Sequence, residues 1–254
     1  MSVQKDYLYS YIKNTNYSVQ LNYISKLFNH VAQTKIVHLL LSAGVGRDPV
    51  TYRMLLMSDG LTTTYSACEE QLSALAKEVA ACTRCPLHQT RKQTVFFRGS
   101  PQAKLMIIGE APGFYEDQQG LPFVGKAGGL LNQMLQSVEL FEQDFYIANV
   151  LKCRPPNNRD PQAAEIRQCS AYLSRQIELL QPSLILALGR FAGQFLLNKP
   201  LALKQLRNNV HYYKNTPFIV SYHPAYLLRK PADKKKTYLD LLAVKKFLQQ
   251  QNSV

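Results

Sequence analysis

The run Leu105-Met106-Ile107-Ile108, broken at once by Gly109-Glu110-Ala111-Pro112-Gly113, constrains this chain more than any other stretch. Four consecutive apolar residues are too few for a helix and suit a strand buried on both faces. Glycine and proline then end the strand, and a single acid, Glu110, stands in the break. Shortly after, Leu121-Pro122-Phe123-Val124-Gly125-Lys126-Ala127-Gly128-Gly129 predicts a helix start, continued by Leu130, Leu131, Met134 and Leu135. From such a strand, kinked acidic loop and glycine-rich helix start, open α/β sheets build a pocket beyond the carboxyl ends of their strands.

The pattern repeats downstream. Short apolar runs at Leu105–Ile108, Phe145–Val150, Leu184–Leu188 and Phe218–Tyr222 alternate with helical periodicity. One helix is marked by Asp160 as N-cap, Pro161 in the first turn, and Ile166, Cys169, Leu173, Ile177 and Leu180 on one face. Another is expected over Glu69–Ala80. The fold class is therefore α/β: three layers, α/β/α, around a mostly parallel four-stranded sheet formed by residues 67–254. Residues 1–66 read as an N-terminal extension, partly helical from the spacing of Leu21, Ile24, Leu27, Phe28 and Val31, and they suggest no chemistry. Parallel strands put Glu110, Asn149, Gly189-Arg190 and His223-Pro224 on one edge of the sheet, where residues distant in sequence can share a cleft.

Charge points to the partner. The chain carries 30 Lys and Arg against 17 Asp and Glu, and residues 199–254 alone hold 11 against 2. A basic excess at one end is a field for a polyanion, although a solvated helix would carry lysines too. No apolar run is long enough to span a bilayer, so a membrane role is not expected and a cytoplasmic setting is. Five cysteines are present, and Cys82-Thr83-Arg84-Cys85 suggests a metal site or redox pair rather than a structural disulfide.

From about Cys82 onward the chain resembles the family 4 uracil-DNA glycosylases, the iron–sulfur branch of the uracil-DNA glycosylase superfamily. The resemblance rests on Gly109-Glu110-Ala111-Pro112-Gly113, Pro122-Phe123-Val124-Gly125-Lys126-Ala127-Gly128, Asn149-Val150-Leu151-Lys152-Cys153-Arg154-Pro155-Pro156 with Asn158-Arg159, and His223-Pro224-Ala225-Tyr226-Leu227-Leu228-Arg229, with four cysteines in matching order. It implies a monomeric enzyme that flips uracil out of DNA, cleaves its N-glycosidic bond and leaves an abasic site. The implied uracil pocket comprises Ala111, Glu116, Phe123, Asn149 and His223. Phe123 would stack on the pyrimidine, and the Asn149 amide would match the carbonyl beside a ring N–H that uracil presents and cytosine reverses. His223 would donate to the 2-oxygen, and Glu110 would orient water or stabilise the sugar cation. Glu116 is a second candidate for that work, or for excluding the thymine methyl. Lys152, Arg154, Arg159, Leu227, Leu228 and Arg229 would contact DNA, the leucines as a wedge into the emptied stack. Arg207 and Lys234–Lys236 are further phosphate candidates. Cys82, Cys85, Cys153 and Cys169 would hold a [4Fe–4S] cluster rather than zinc, leaving Cys68 as an inert thiol.

Two departures bear on these expectations. Phe97 stands where the family often has glycine. The segment Lys204-Gln205-Leu206-Arg207-Asn208-Asn209-Val210-His211 lacks the consecutive arginines of a related branch that traps its product covalently, so turnover is expected. The rival readings are a non-catalytic iron–sulfur DNA-binding protein, such as a damage sensor or polymerase accessory, and a zinc-stabilised nucleotide-binding module.

Overall fold

A computed structural model of the protein describes residues 67–251; the expectations for residues 1–66 lie outside them. Strands β1 (Arg98–Gly99), β2 (Leu105–Gly109), β3 (Phe145–Asn149), β4 (Leu184–Leu188), β5 (His211–Tyr213) and β6 (Thr216–Ser221) form one sheet in the order β1-β3-β2-β4-β6-β5. The four central strands are parallel, and β1 and β5 pair antiparallel at the two edges. The expected four-stranded sheet is thus the middle of a six-stranded one. The edge strands have only two and three residues and carry no apolar run that would announce them.

Eight helices accompany the strands among the described residues: α1 (67–80), α2 (Phe114–Gln119), α3 (Lys126–Gln136), α4 (Ala163–Leu180), α5 (Arg190–Leu197), α6 (Leu203–Leu206), α7 (Pro224–Arg229) and α8 (Lys234–Gln251). Alternate strand residues face opposite layers. Leu105, Ile107, Ile147, Leu184 and Leu186 pack with Leu131 and Leu135 of α3, Leu227 of α7 and Leu241 and Val244 of α8. Met106, Ile108, Ala148, Ile185 and Ala187 pack with Leu173 and Ile177 of α4, Ala192 of α5 and Leu206 of α6. Every residue of β2, β3 and β4 is buried, which is why these strands read as unbroken apolar runs. A third cluster joins α1 (Leu72, Leu75, Val79) to Leu151, Cys153, Cys169 and Tyr172. Phe97, the departure from the family pattern, lies flat on Tyr146 with ring centroids 4.5 Å apart.

The helix α4 starts later than its sequence suggests. Its N-cap is Gln162 rather than Asp160. Glu165 reaches back to accept a hydrogen bond from the Gln162 backbone N–H (2.8 Å), and Arg159 grips the same carboxylate through both guanidinium nitrogens (2.6 and 2.9 Å). With that cap in place, Asp160 stays outside and pairs with Arg190 at 3.3 Å.

The chain leaves β2 for β3 on one side and reaches β4 on the other, so the direction of winding reverses at β2. A crevice opens at such a reversal, beyond the carboxyl end of the strand. The Gly109–Gly113 break lies there.

Candidate active site

Gly109 and Asn149 are register partners at the ends of β2 and β3. A Cβ at position 109 would lie 2.3 Å from Asn149 Oδ1 and 2.6 Å from the Phe123 ring, so both side chains close over a position that only glycine can fill. Asn149 is 2% exposed, and its Oδ1 has no hydrogen-bond partner within the protein. Leaving such an acceptor unpaired costs about 1–3 kcal/mol, which a ligand N–H would recover.

Phe123 is buried and holds a left-handed backbone, φ 57°, a conformation that a bulky residue adopts only under constraint. The constraint is local. Glu116 Oε1 accepts hydrogen bonds from the backbone N–H groups of Val124 (3.1 Å) and Gly125 (3.0 Å). On the other side, the first turn of α3 presses on the Phe123 carbonyl, which a Cβ on Gly128 would overlap at 1.8 Å. Glu116, expected in the pocket, therefore spends one carboxylate oxygen on the loop that presents Phe123. Ala111, also expected there, packs its methyl against the cluster containing Cys153 and Cys169.

His223 caps α7, its ring centroid 5.7 Å from that of Phe123. Gly189, with φ 89°, lets β4 end against it; a Cβ there would approach His223 Cβ to 3.1 Å. The Ala225 backbone N–H donates to His223 Nδ1 (3.2 Å). An Nδ1 that accepts carries no proton, so the ring is neutral with its hydrogen on Nε2. Burial, and then the positive charge of Arg229, push the imidazolium pKa down to about 4. The side chain is thus a neutral N–H donor throughout the physiological range.

Glu110 follows Gly109, with its backbone carbonyl fixed by Leu151 N–H (3.0 Å). Burial, reinforced by Asp160 and opposed by Arg190, raises its carboxyl pKa to about 7. Arg190 was not singled out in the sequence beyond its place at a strand end. Only the fold shows it near this acid.

The DNA-contact expectations divide. Lys152 is not available to phosphate: it is 1% exposed, and its ammonium donates to the Asn149 carbonyl (2.8 Å) and Gln176 Oε1 (2.5 Å). Leu227 is fully buried in the core beneath α7, so only Leu228, 45% exposed, can serve as a wedge. Arg159 is engaged by Glu165, and buried Arg207 by both oxygens of Asp240 (2.9 and 3.1 Å). Arg229, Lys234, Lys235 and Lys236 remain on the surface, and half-buried Arg154 bonds Asn158 through Nε (2.7 Å).

Cys82, Cys85, Cys153 and Cys169 line one cavity with Arg91, Lys152 and Tyr172. Among the described residues no three His, Cys, Asp or Glu side chains form a single-ion site. Two of the sulfurs have donors beside them. Arg91 donates to Cys153 Sγ (3.2 Å) and the Lys152 backbone N–H to Cys169 Sγ (3.3 Å). Burial raises both thiol pKa values, that of Cys169 to about 11, so these sulfurs need positive partners to ionise. Cys68 lies outside the cavity's lining, its thiol toward the Leu179 carbonyl.

Residues 96–243 match the Uracil DNA glycosylase superfamily. The chain belongs to it. Its curated relatives include type-4 uracil-DNA glycosylases from Archaeoglobus fulgidus (43% identical, covering 64% of this chain and 85% of the relative), Saccharolobus solfataricus (41%; 70% and 87%) and Thermotoga maritima (36%; 72% and 97%). Within this superfamily fold, the Asn149 amide and the Phe123 ring close on Gly109 at the sheet's winding reversal, and the His223 ring lies 5.7 Å from that of Phe123.

Lys152 ties the pocket to the cysteine cavity, so Lys152→Met should leave Gln176 Oε1 and the Asn149 carbonyl short of a donor. We expect destabilisation of about 1–3 kcal/mol, read as a lower urea midpoint at unchanged slope.

Proposed function

We propose that the protein excises uracil from DNA, hydrolysing the N-glycosidic bond to release free uracil and leave an abasic site that starts base-excision repair. The observation that carries this reading is the buried, unpaired Asn149 Oδ1, which closes on Gly109 together with the Phe123 ring, itself 5.7 Å from the His223 ring. An extruded uracil would bring its ring N–H to that oxygen and its 4-oxygen to the Asn149 amide group. Cytosine offers an acceptor and a donor in the reverse order, leaving buried groups unpaired, which is the strongest form of rejection a pocket has. Phe123 would supply the stacking face for a base paid out of the duplex.

Bond cleavage leaves negative charge on the departing base and positive character on the sugar. His223 Nε2–H would meet the 2-oxygen and strengthen its hydrogen bond as charge develops there. Glu110, ionising near neutral pH, would orient water and accept its proton as the sugar cation is attacked. Glu116 would act through the loop it holds rather than by touching the base. Leu228 would fill the vacated stack, while Arg229 and the lysines beginning α8 meet phosphate. We propose that the protein acts as a monomer. Among the described residues no helix is long and apolar enough to cross a membrane.

The four cysteines, with cationic and N–H partners on two of the sulfurs, fit a [4Fe–4S] cluster. When bound, it would supply a covalent cross-link joining the end of α1, the loop after β3 and α4. The non-catalytic alternative would need no convergence of Phe123, Asn149 and His223.

Incubation with a uracil-containing oligonucleotide followed by alkali should yield strand breaks. His223→Ala should lower kcat about 100- to 1,000-fold, the loss typical of a single oxyanion donor, and Asn149→Ala should abolish detectable cleavage. Intact cleavage in both variants would refute the site. The acid limb of kcat should rise with pH and level off above about 7, since only ionised Glu110 accepts a proton; Glu110→Gln should erase that limb. The purified protein should absorb broadly in the violet, and Cys153→Ser should lose the band; a colourless protein would point to zinc.

A further inference from the structure

The pocket rim carries an aromatic ledge that the excision chemistry leaves unused. Phe114 and Tyr115 are 49% and 52% exposed, although large aromatics are normally withdrawn from water. Their rings meet edge to face, centroids 5.4 Å apart at 84°. The Arg154 guanidinium lies 5.1 Å from the centre of the Phe114 ring, and the Tyr115 ring covers Gly125, where an added Cβ would stand 3.3 Å from it. The ledge thus joins three pocket-forming segments. Phe114 follows the Glu110–Gly113 break, Arg154 lies just past Asn149, and Gly125 lies two residues past Phe123.

Resting on the reading of this site as a uracil pocket, we infer that the Phe114–Tyr115–Arg154 ledge is a stacking subsite for an unpaired base beside the extruded uracil. A strand entering the pocket must pass its rim, and a rim of two aromatic faces and one guanidinium offers stacking and phosphate attraction together. This combination is tolerant of sequence because every base has a π-face. It is selective for single strands: within a duplex the neighbouring base already stacks on both sides and its edge is paired. A protein partner with an apolar surface would meet the exposed rings equally well, but gains nothing from a cation held against one of them. The ledge therefore biases the enzyme toward unpaired DNA.

The chain contains no tryptophan, so Phe114→Trp creates a single reporter on a surface position. Titrated with a uracil-free single-stranded oligonucleotide, the full-length variant should show tryptophan quenching, about tenfold tighter than with the same sequence in duplex. On uracil substrates, the Phe114→Ala Tyr115→Ala double variant should lower the ratio of single-strand to duplex kcat/KM about tenfold, the loss of roughly one base stack. Quenching that is absent, or equal for the two DNA forms, overturns the subsite, as does an unaltered ratio. Quenching by uracil-free DNA is independent of chemistry. If the wild type excises no uracil while the single strand still quenches, the glycosylase reading fails and the ledge stands.

Discussion

The structure depends on the missing side chain at Gly109. At the end of β2 any Cβ would strike the Asn149 amide and the Phe123 ring together, so these two side chains can close in only because the strand ends bare. The approach is paid for elsewhere. Phe123 sits in a left-handed conformation that costs on the order of 1–3 kcal/mol, and neighbouring contacts hold it there: two amides on the Glu116 carboxylate, and the packing of Gly128 beneath its carbonyl. A buried carboxylate given over to two backbone N–H groups is an unusual structural device. Its use here is geometric, since one carboxylate oxygen accepting from two successive backbone N–H groups constrains the direction of the loop. The aromatic face over the pocket is thereby set before any ligand arrives, which reduces the ordering entropy that binding would otherwise cost.

The same economy governs the imidazole. A charged histidine would attract any anion, including phosphate, and would have to be held ionised away from water. Nδ1 instead accepts from Ala225 N–H, which orients the ring and leaves the proton on Nε2. The neighbouring Arg229 charge works in the same direction by disfavouring a second positive charge. Under the proposed mechanism the donor would be matched to a charge that appears only as the bond breaks, and would contribute little to holding the neutral base beforehand. That difference between ground and transition state is what accelerates a reaction.

Much of this was legible in sequence, for reasons that also explain the gaps. Leu184–Leu188 read as a strand residue for residue because burial on both faces leaves an unbroken apolar run. Asn149 and His223 could be placed on one edge because parallel strands end on the same side. Edge strands β1 and β5, too short and half-buried, left no pattern. Charge misled at Lys152, where a basic side chain within a basic motif is in fact an interior donor to Asn149 and Gln176. Arg207 misled for the same reason, since the sequence does not show Asp240 folding back to meet it. Leu227 and Leu228 look alike in sequence, and only the pitch of α7 decides that one enters the core and the other faces solvent. The start of α4 was displaced by an ion pair, Arg159 with Glu165, whose capping value is invisible until the Arg159 guanidinium and the Gln162 backbone N–H are seen to share the Glu165 carboxylate.

Lys152 then acquires a meaning that a phosphate contact would not give it. Its ammonium holds the carbonyl of Asn149, while its own backbone N–H reaches Cys169 Sγ. Gln176, on the same helix as Cys169, takes the ammonium's second hydrogen bond and passes the network to Tyr146 on β3 (2.6 Å) and to the Phe96 carbonyl (3.2 Å). Because each of these polar groups is buried, none can turn to water when a neighbour shifts, and breaking one contact exposes the desolvation cost of the next. The cysteine cavity and the base pocket are therefore not separate modules joined by chain. They are two ends of one buried polar network, and whatever fixes Cys153 and Cys169 also fixes the backbone from which the Asn149 amide projects.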